Sequence, residues 1–334
     1  MTTDTLDKKH TDTGTDNGSW EGAEYPFKVG YGKLMIWYFL LSDAFTFAGF
    51  LIAYGTLRFS TISWPVPDFV FSTFPFLGAN NPLLFVTLMT FVLLFSSYTM
   101  IRAVQEGHRE NRRGVVIWMS LTILGGLGFL GCQAWEWTTL ISEEHMSVTT
   151  NPFGTHIEDG IYLDASGNES TETFDAGKSY LLHKISVDET HAVVEPAHGA
   201  ATGGEPAHEP AHEAGAEAHG AHAYPGPGDY PDAVVDERGY IHRKYIVASG
   251  EETGSIKSEP FGPKAFGALF FFITGFHGFH VFSGVIFLLI IMINVISGLY
   301  VARRNKNEMV EKIGLYWHFV DLVWVFVFLV FYLL

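Results

Sequence analysis

The chain has 334 residues, of which 48% are hydrophobic and 17% charged, against about a quarter charged in an ordinary soluble domain. That balance disfavours a soluble enzyme, and 15% aromatics with 29 Phe and 8 Trp suit a lipid-facing surface with interfacial belts. The single cysteine, Cys132, excludes an intramolecular disulfide, a four-thiolate zinc site and any centre built on two thiolates. The net charge of −16 is local, because 141–263 holds 22 acidic and 6 basic residues while the rest of the chain is neutral. Acidity of that kind argues against nucleic acid, which selects clustered Lys and Arg.

In chain order, residues 1–30 form a polar tail of mixed charge, without the basic start and apolar run of a cleavable signal. A bilayer core about 30 Å thick needs roughly 20 apolar residues per helix, and five windows meet this. They are Leu34 to Leu57, Leu83 to Ile101, Gly114 to Trp135, Ala265 to Ala302 and Ile313 to Leu334. The fourth would be about 57 Å of straight helix, so it must tilt, protrude or bend near Gly275, Gly278 or Gly284. The fold class is an all-α integral membrane protein, a five-helix bundle over 31–140 and 264–334 carrying an insert at 141–263.

Lys and Arg in short loops mark the cytoplasmic side. Arg102, Arg109, Arg112 and Arg113 follow the second window, and Arg303, Arg304, Lys306 and Lys312 follow the fourth. The tail is then cytoplasmic, in agreement with Lys28 and Lys33, and the insert and C-terminus face outward, which is the periplasm in a bacterial inner membrane. Trp37, Tyr38, Trp64, Trp135, Trp137, Tyr316 and Trp317 fall at window ends and read as interfacial anchors.

The insert is too long for a structureless loop. Gly160 to Val187, split by Ser-Gly-Asn, and Tyr240 to Ala248 read as strands of a small β-rich module. Between them, 195–228 repeats E-P-A-H and is too poor in apolar residues to offset its chain entropy, so it reads as disordered. The insert carries 10 of the 15 His, but irregular repeats fix no ligand geometry. Its acidity suits a basic partner such as a cytochrome c domain or a neighbouring respiratory complex.

Ionisable groups at membrane depth are costly and mark function or interhelical pairing. Gln133 with Glu136, His277 with His280 and His318 with Asp321 are i,i+3 pairs, each on one helix face. Asp43 lies roughly 13 Å from the cytoplasmic end and Asp321 roughly 12 Å. Glu136 is placed to meet one of the histidines, whereas Asp43 has no counter-ion assigned. The Glu-x-x-His repeats of a di-iron bundle are absent from the windows, and the bare His carry no haem signature. Buried Cys132 reads as a small hydrophobe.

Two segments, Thr274-Gly-Phe-His-Gly-Phe-His-Val281 and Tyr316-Trp-His-Phe-Val-Asp-Leu-Val-Trp324, closely resemble the paired signatures of subunit III of haem-copper cytochrome c oxidases. In the family's order, Leu41 to Phe50 resembles its S-E-x-x-F-F-x-G-F helix, Glu106 to Arg109 its E-G-N-R loop and Gln133 to Trp137 its Q-x-x-E-Y. Asp43 stands where the family has glutamate, and nothing in the family matches the insert. The chain is similar to the five-helix form, in which the two further helices are carried by subunit I.

The resemblance implies a subunit of a terminal oxidase that reduces O2 to water. It implies no catalytic residue, cofactor or metal of the chain's own, with haem and copper in partner subunits. It implies packing on subunits I and II, phospholipid held in a cleft, and support of proton uptake by Asp43, Glu136, His277, His280, His318 and Asp321. Either cytochrome c or quinol fits as donor, since that choice lies on subunits I and II. The competing class is a small proton or ion transporter or channel lined by the same residues, but the internal repeats and matched helix breaks of transporters are not found.

Overall fold

A computed structural model describes residues 31–75, 78–79, 83–164, 167–185, 233–298 and 308–334. The tail 1–30 with Lys28, the E-P-A-H stretch 195–228, and Arg303, Arg304 and Lys306 lie outside the described residues.

Five helices are long and apolar enough to cross a membrane. They are α1 (Tyr31–Ser60), α3 (Leu84–His108), α4 (Arg112–Thr138), α5 (Lys264–Ile296) and α6 (Glu308–Phe328). A single turn, α2 (Pro67–Val70), and a two-stranded ribbon of β1 (Thr73–Phe74) and β2 (Gly78–Ala79) join α1 to α3. Both α4 and α6 widen into π turns, Thr139–Glu143 and Leu329–Leu333.

Local chemistry sets the ends. Asn111 caps α4 by accepting from Gly114 N, and its own amide donates to Glu106 at 2.7 Å. A Cβ on Gly114 would meet that carboxylate at 2.7 Å, so the tight α3–α4 corner requires glycine there. At the end of α5, Gly298 takes φ 74° and donates to Val295 O, a left-handed stop that β-carbon-bearing residues resist. The fourth span is therefore 33 residues, about 50 Å, shorter than its apolar window.

The bundle has one continuous core, with Trp317, Trp324, Tyr54 and Tyr332 among its largest fully buried side chains. Trp317 reaches between α4 and α5, packing on Gly126 and Gly284 and donating to Ser96 Oγ at 3.1 Å. Trp64 donates to Tyr54 Oη at 3.2 Å. Three of the predicted interfacial anchors, Trp64, Tyr316 and Trp317, are thus core residues, while Trp37 and Tyr38 are exposed. For Tyr316 and Trp317 the reason is that α6 starts at Glu308, which carries both about two turns into the helix.

The insert's described part is a module of short strands. Sheet order is β10 (Ile256–Ser258), β9 (Lys244–Val247), β4 (Gly160–Leu163), β5 (Glu169–Phe174), all antiparallel. Two ribbons accompany it, β3 (Phe153–Thr155) with β6 (Ser179–Leu181) and β7 (Val234–Val235) with β8 (Ile241–His242). The predicted Tyr240–Ala248 strand is divided at Arg243 into β8 and β9. The module rests on the α1–α3 connection: Thr155 Oγ1 donates to Trp64 O at 2.8 Å, and Val66 N donates to Ser179 Oγ at 3.2 Å.

Candidate functional site

Lys33 and Glu311, 2.8 Å apart, set the register of α1 against α6. Counting equally from that pair, Asp43 and Asp321 stand at one level, each ten residues further along its helix. Asp43 does not face Asp321. Its Oδ2 lies 3.1 Å from His280 Nε2 on α5.

The other ring nitrogen fixes what this bond contains. His280 Nδ1 lies 2.8 Å from Phe276 O, and a carbonyl only accepts, so Nδ1 carries a proton. The Asp43–Nε2 bond then needs one further proton, on the carboxyl or on the ring. Either way the pair holds one mobile proton and no net charge. Phe47 and Phe276 wall it edge-on, with ring centroids 5.5 and 4.7 Å from His280.

The pair opens on an apolar groove of about 630 Å³ between α1, α5 and α6. Ile36, Phe39, Phe287 and Ile290 line it, with His280, Ser283 and Tyr316 on one side and Lys312 beyond. Tyr316 Oη lies 2.9 Å from Ser283 Oγ and donates to His280 O at 3.1 Å. This hydroxyl pair braces the turn of α5 that presents His280.

Glu136 meets no histidine. Tyr332 Oη donates to both of its oxygens at 3.2 Å, and Gln133 Nε2 donates at 3.1 Å. His277 turns away from His280 into the bundle centre, packed by Phe47, Phe129 and Trp324. Among the described residues neither of its nitrogens has a hydrogen-bond partner. His318 Nδ1 lies 2.7 Å from Ser97 Oγ on α3, and Asp321 faces the same hydroxyl. The six residues therefore fall in four places in the bundle: Asp43 with His280, His318 with Asp321 at the Ser97 hydroxyl, Glu136, and His277; among them only Asp43 and His280 bond directly.

The expectation of an unpaired Asp43 and a Glu136–His contact is corrected here. Spacing shows which residues share a face of one helix, but not the direction in which that face turns. Sequence reasoning also missed Tyr316, Ser283, Ser97 and Tyr332. Two of them carried a signal: Ser283 lies one turn beyond His280, and Tyr316 opens the second signature.

Comparison with known proteins adds the following. A family model described as cytochrome c oxidase subunit III matches residues 258–334. Quinol oxidase subunit 3 of Bacillus subtilis (strain 168) is 30% identical over 166 residues, 46% of this chain and 74% of the relative. Its counterpart in Bacillus spizizenii is 31% identical over the same shares. Cytochrome c oxidase subunit 3 of Schizophyllum commune is 46% identical over 67 residues, 20% of this chain and 24% of that protein.

Proposed function

This chain belongs to the cytochrome c oxidase subunit III family, and on that premise we infer that it is a subunit of a proton-translocating haem-copper oxidase that supports proton uptake. In this reading it has no redox centre of its own and packs on subunits I and II. It is a multi-pass protein of a bacterial inner membrane, with its N-terminus cytoplasmic and the module periplasmic.

The observation that carries the uptake role is the Asp43–His280 pair. A neutral pair sharing one proton avoids the cost of a lone charge in lipid, yet either member is able to release that proton to an acceptor. The groove beside it suits a phospholipid, with acyl chains along Ile36, Phe39 and Phe287 and the phosphate toward Lys312.

The test is Asp43→Asn in the assembled oxidase. Asparagine keeps a hydrogen bond to Nε2 but has no proton to release. The complex should assemble with full haem content, yet turn over more slowly or inactivate faster as pH rises from about 6 to about 9, where uptake limits. Wild-type behaviour across that range, with Asp43→Leu disrupting assembly, would leave Asp43 as a tie between α1 and α5. For the lipid role, Lys312→Gln should reduce the phospholipid phosphorus that copurifies.

A further inference from the structure

The oxidase reading does not use the buried polar cluster of the module. Glu259 follows β10 and is 2% exposed, and His156 follows β3 and is 4% exposed. Tyr162, on β4, joins them. Its hydroxyl donates to Glu259 Oε1 at 2.7 Å and lies 2.9 Å from His156 Nε2. Since the one hydroxyl proton of Tyr162 is donated to Glu259, the imidazole supplies the second bond by donating Nε2–H.

Charged and titratable groups face this chain from every strand around it. The Arg243 guanidinium, between β8 and β9, lies 3.6 Å over the Tyr162 ring and binds Glu172 of β5 at 2.6 Å. Lys178 lies just before β6, and the Tyr180 and Tyr245 rings pack on His156 at 4.6 and 5.3 Å. Phe174 stacks on the imidazole at 3.6 Å. Glu158 and Lys257, paired at 2.8 Å, act on the chain through Tyr245, and His242 of β8 lies with Nδ1 2.6 Å from Glu259 O and Nε2 3.8 Å from Asp236.

We propose that His156, Tyr162 and Glu259 form a proton-binding site on the module, a hydrogen-bonded chain that takes up one proton and holds it on the Glu259 carboxyl. The balance is simple. With Glu259 ionised, the chain reads Nε2–H to Oη and O–H to Oε1. A proton arriving at His156 Nδ1 is relayed when Nε2–H passes to the Tyr162 oxygen and the original hydroxyl proton passes to Oε1. One N–H and one O–H bond break, one O–H re-forms on Tyr162 and one forms on Glu259, with the imidazole left neutral on its Nδ1 tautomer. No contact opens in either state.

The environment favours the loaded form. Burial pushes the Glu259 carboxyl up to about 7, against the smaller opposing pull of its Tyr162 bond and of Arg243. Burial, with Lys178 and Arg243 nearby, pushes His156 down to about 4. The site is joined to the membrane bundle by 259–264. Tyr180 Oη donates to Pro260 O at 2.7 Å, Gly262 N to Asn151 O at 3.0 Å and Asn151 Nδ2 to Pro263 O at 3.0 Å. Glu259 thus charges or discharges at a clamped joint five residues before α5, the helix that carries His277 and His280.

Infrared difference spectra of the full-length protein in its membrane complex, titrated from about pH 5 to about pH 9, test this. Wild type should show carboxylic-acid carbonyl intensity that bleaches with a midpoint near 7, and Glu259→Gln should lose one component of it, leaving that of Glu144, which burial also pushes up to about 7. Tyr162→Phe removes the donor that favours the ionised form, so its midpoint should move upward. This second variant leaves Glu259 in place and tests the site even where the glutamine variant folds poorly. Undiminished intensity in Glu259→Gln, a midpoint of the lost component in the ordinary carboxyl range, or an unmoved midpoint of that component in Tyr162→Phe would overturn the proposal.

Discussion

Gly126 on α4 shows how a single hydrogen in place of a methyl group decides the packing of three helices. A Cβ there would lie 2.6 Å from Trp317 Cη2 and 2.9 Å from Val285 Cγ2, and neither side chain is able to yield inside the buried core. Gly126→Ala should therefore destabilise the detergent-solubilised protein by about 1–3 kcal/mol through overpacking, read as a lower thermal midpoint. Gly131, on the same helix, meets nothing within 4 Å, so Gly131→Ala should be neutral or stabilise by about 0.5–1 kcal/mol through backbone entropy. The sequence presents both as mid-helix glycines in an apolar window, and only the partner helix distinguishes them. Asp43 is similar. Its depth was legible from the rise per residue, but His280 as its partner depended on how α1 and α5 rotate against one another.

At the scale of elements, apolar window length was sufficient to find all five spans, because a lipid environment forces helices. The module was legible only in outline. β3, β7 and β10 are two or three residues long, too short for alternation to stand out from loop sequence. The cluster under its sheet makes a prediction about pH. Glu259, raised from 4.5 to about 7, keeps a proton that the unfolded chain has lost, so taken alone its term falls away as pH rises from about 4.5 to about 7. His156, lowered from 6.5 to about 4, refuses a proton that the unfolded chain holds, so its term grows as pH rises from about 4 to about 6.5. Between about 4.5 and about 6.5 the folded and unfolded pair each bind one proton, and the two slopes cancel. Glu259→Gln should expose the histidine slope, with module stability rising with pH by up to about 1.4 kcal/mol per unit. His156→Phe should expose the opposite slope. The urea midpoint of the module, followed by an environment-sensitive dye on Glu251→Cys in a Cys132→Ala background, checks both signs, and parallel flat profiles in the two variants would refute the compensation.

For the whole molecule, the question is which side of the membrane each cluster faces. The α3–α4 corner carries Arg109, Arg112 and Arg113, and Lys33, Glu311 and His108 gather at the same end of the bundle, with Glu311 2.8 Å from Lys33 and 3.9 Å from His108. At the opposite end the module is bonded to the α1–α3 connection through Thr155 and Ser179, so the two ends are fixed relative to each other and one orientation decides both. In the orientation we propose, the excess of Arg in a short corner puts that end in the cytoplasm, since such loops are held on the inner side during insertion. The native thiol, Cys132, is half-buried within α4, so after Cys132→Ala a new thiol reports its own side. Glu251→Cys, exposed on the module, should react with a membrane-impermeant maleimide on intact spheroplasts. Arg113→Cys, exposed at the corner, should react only after the membrane is opened. The reverse pattern would turn the molecule over, which would put the Glu259 chain in the cytoplasm and the Lys312 end of the groove outside.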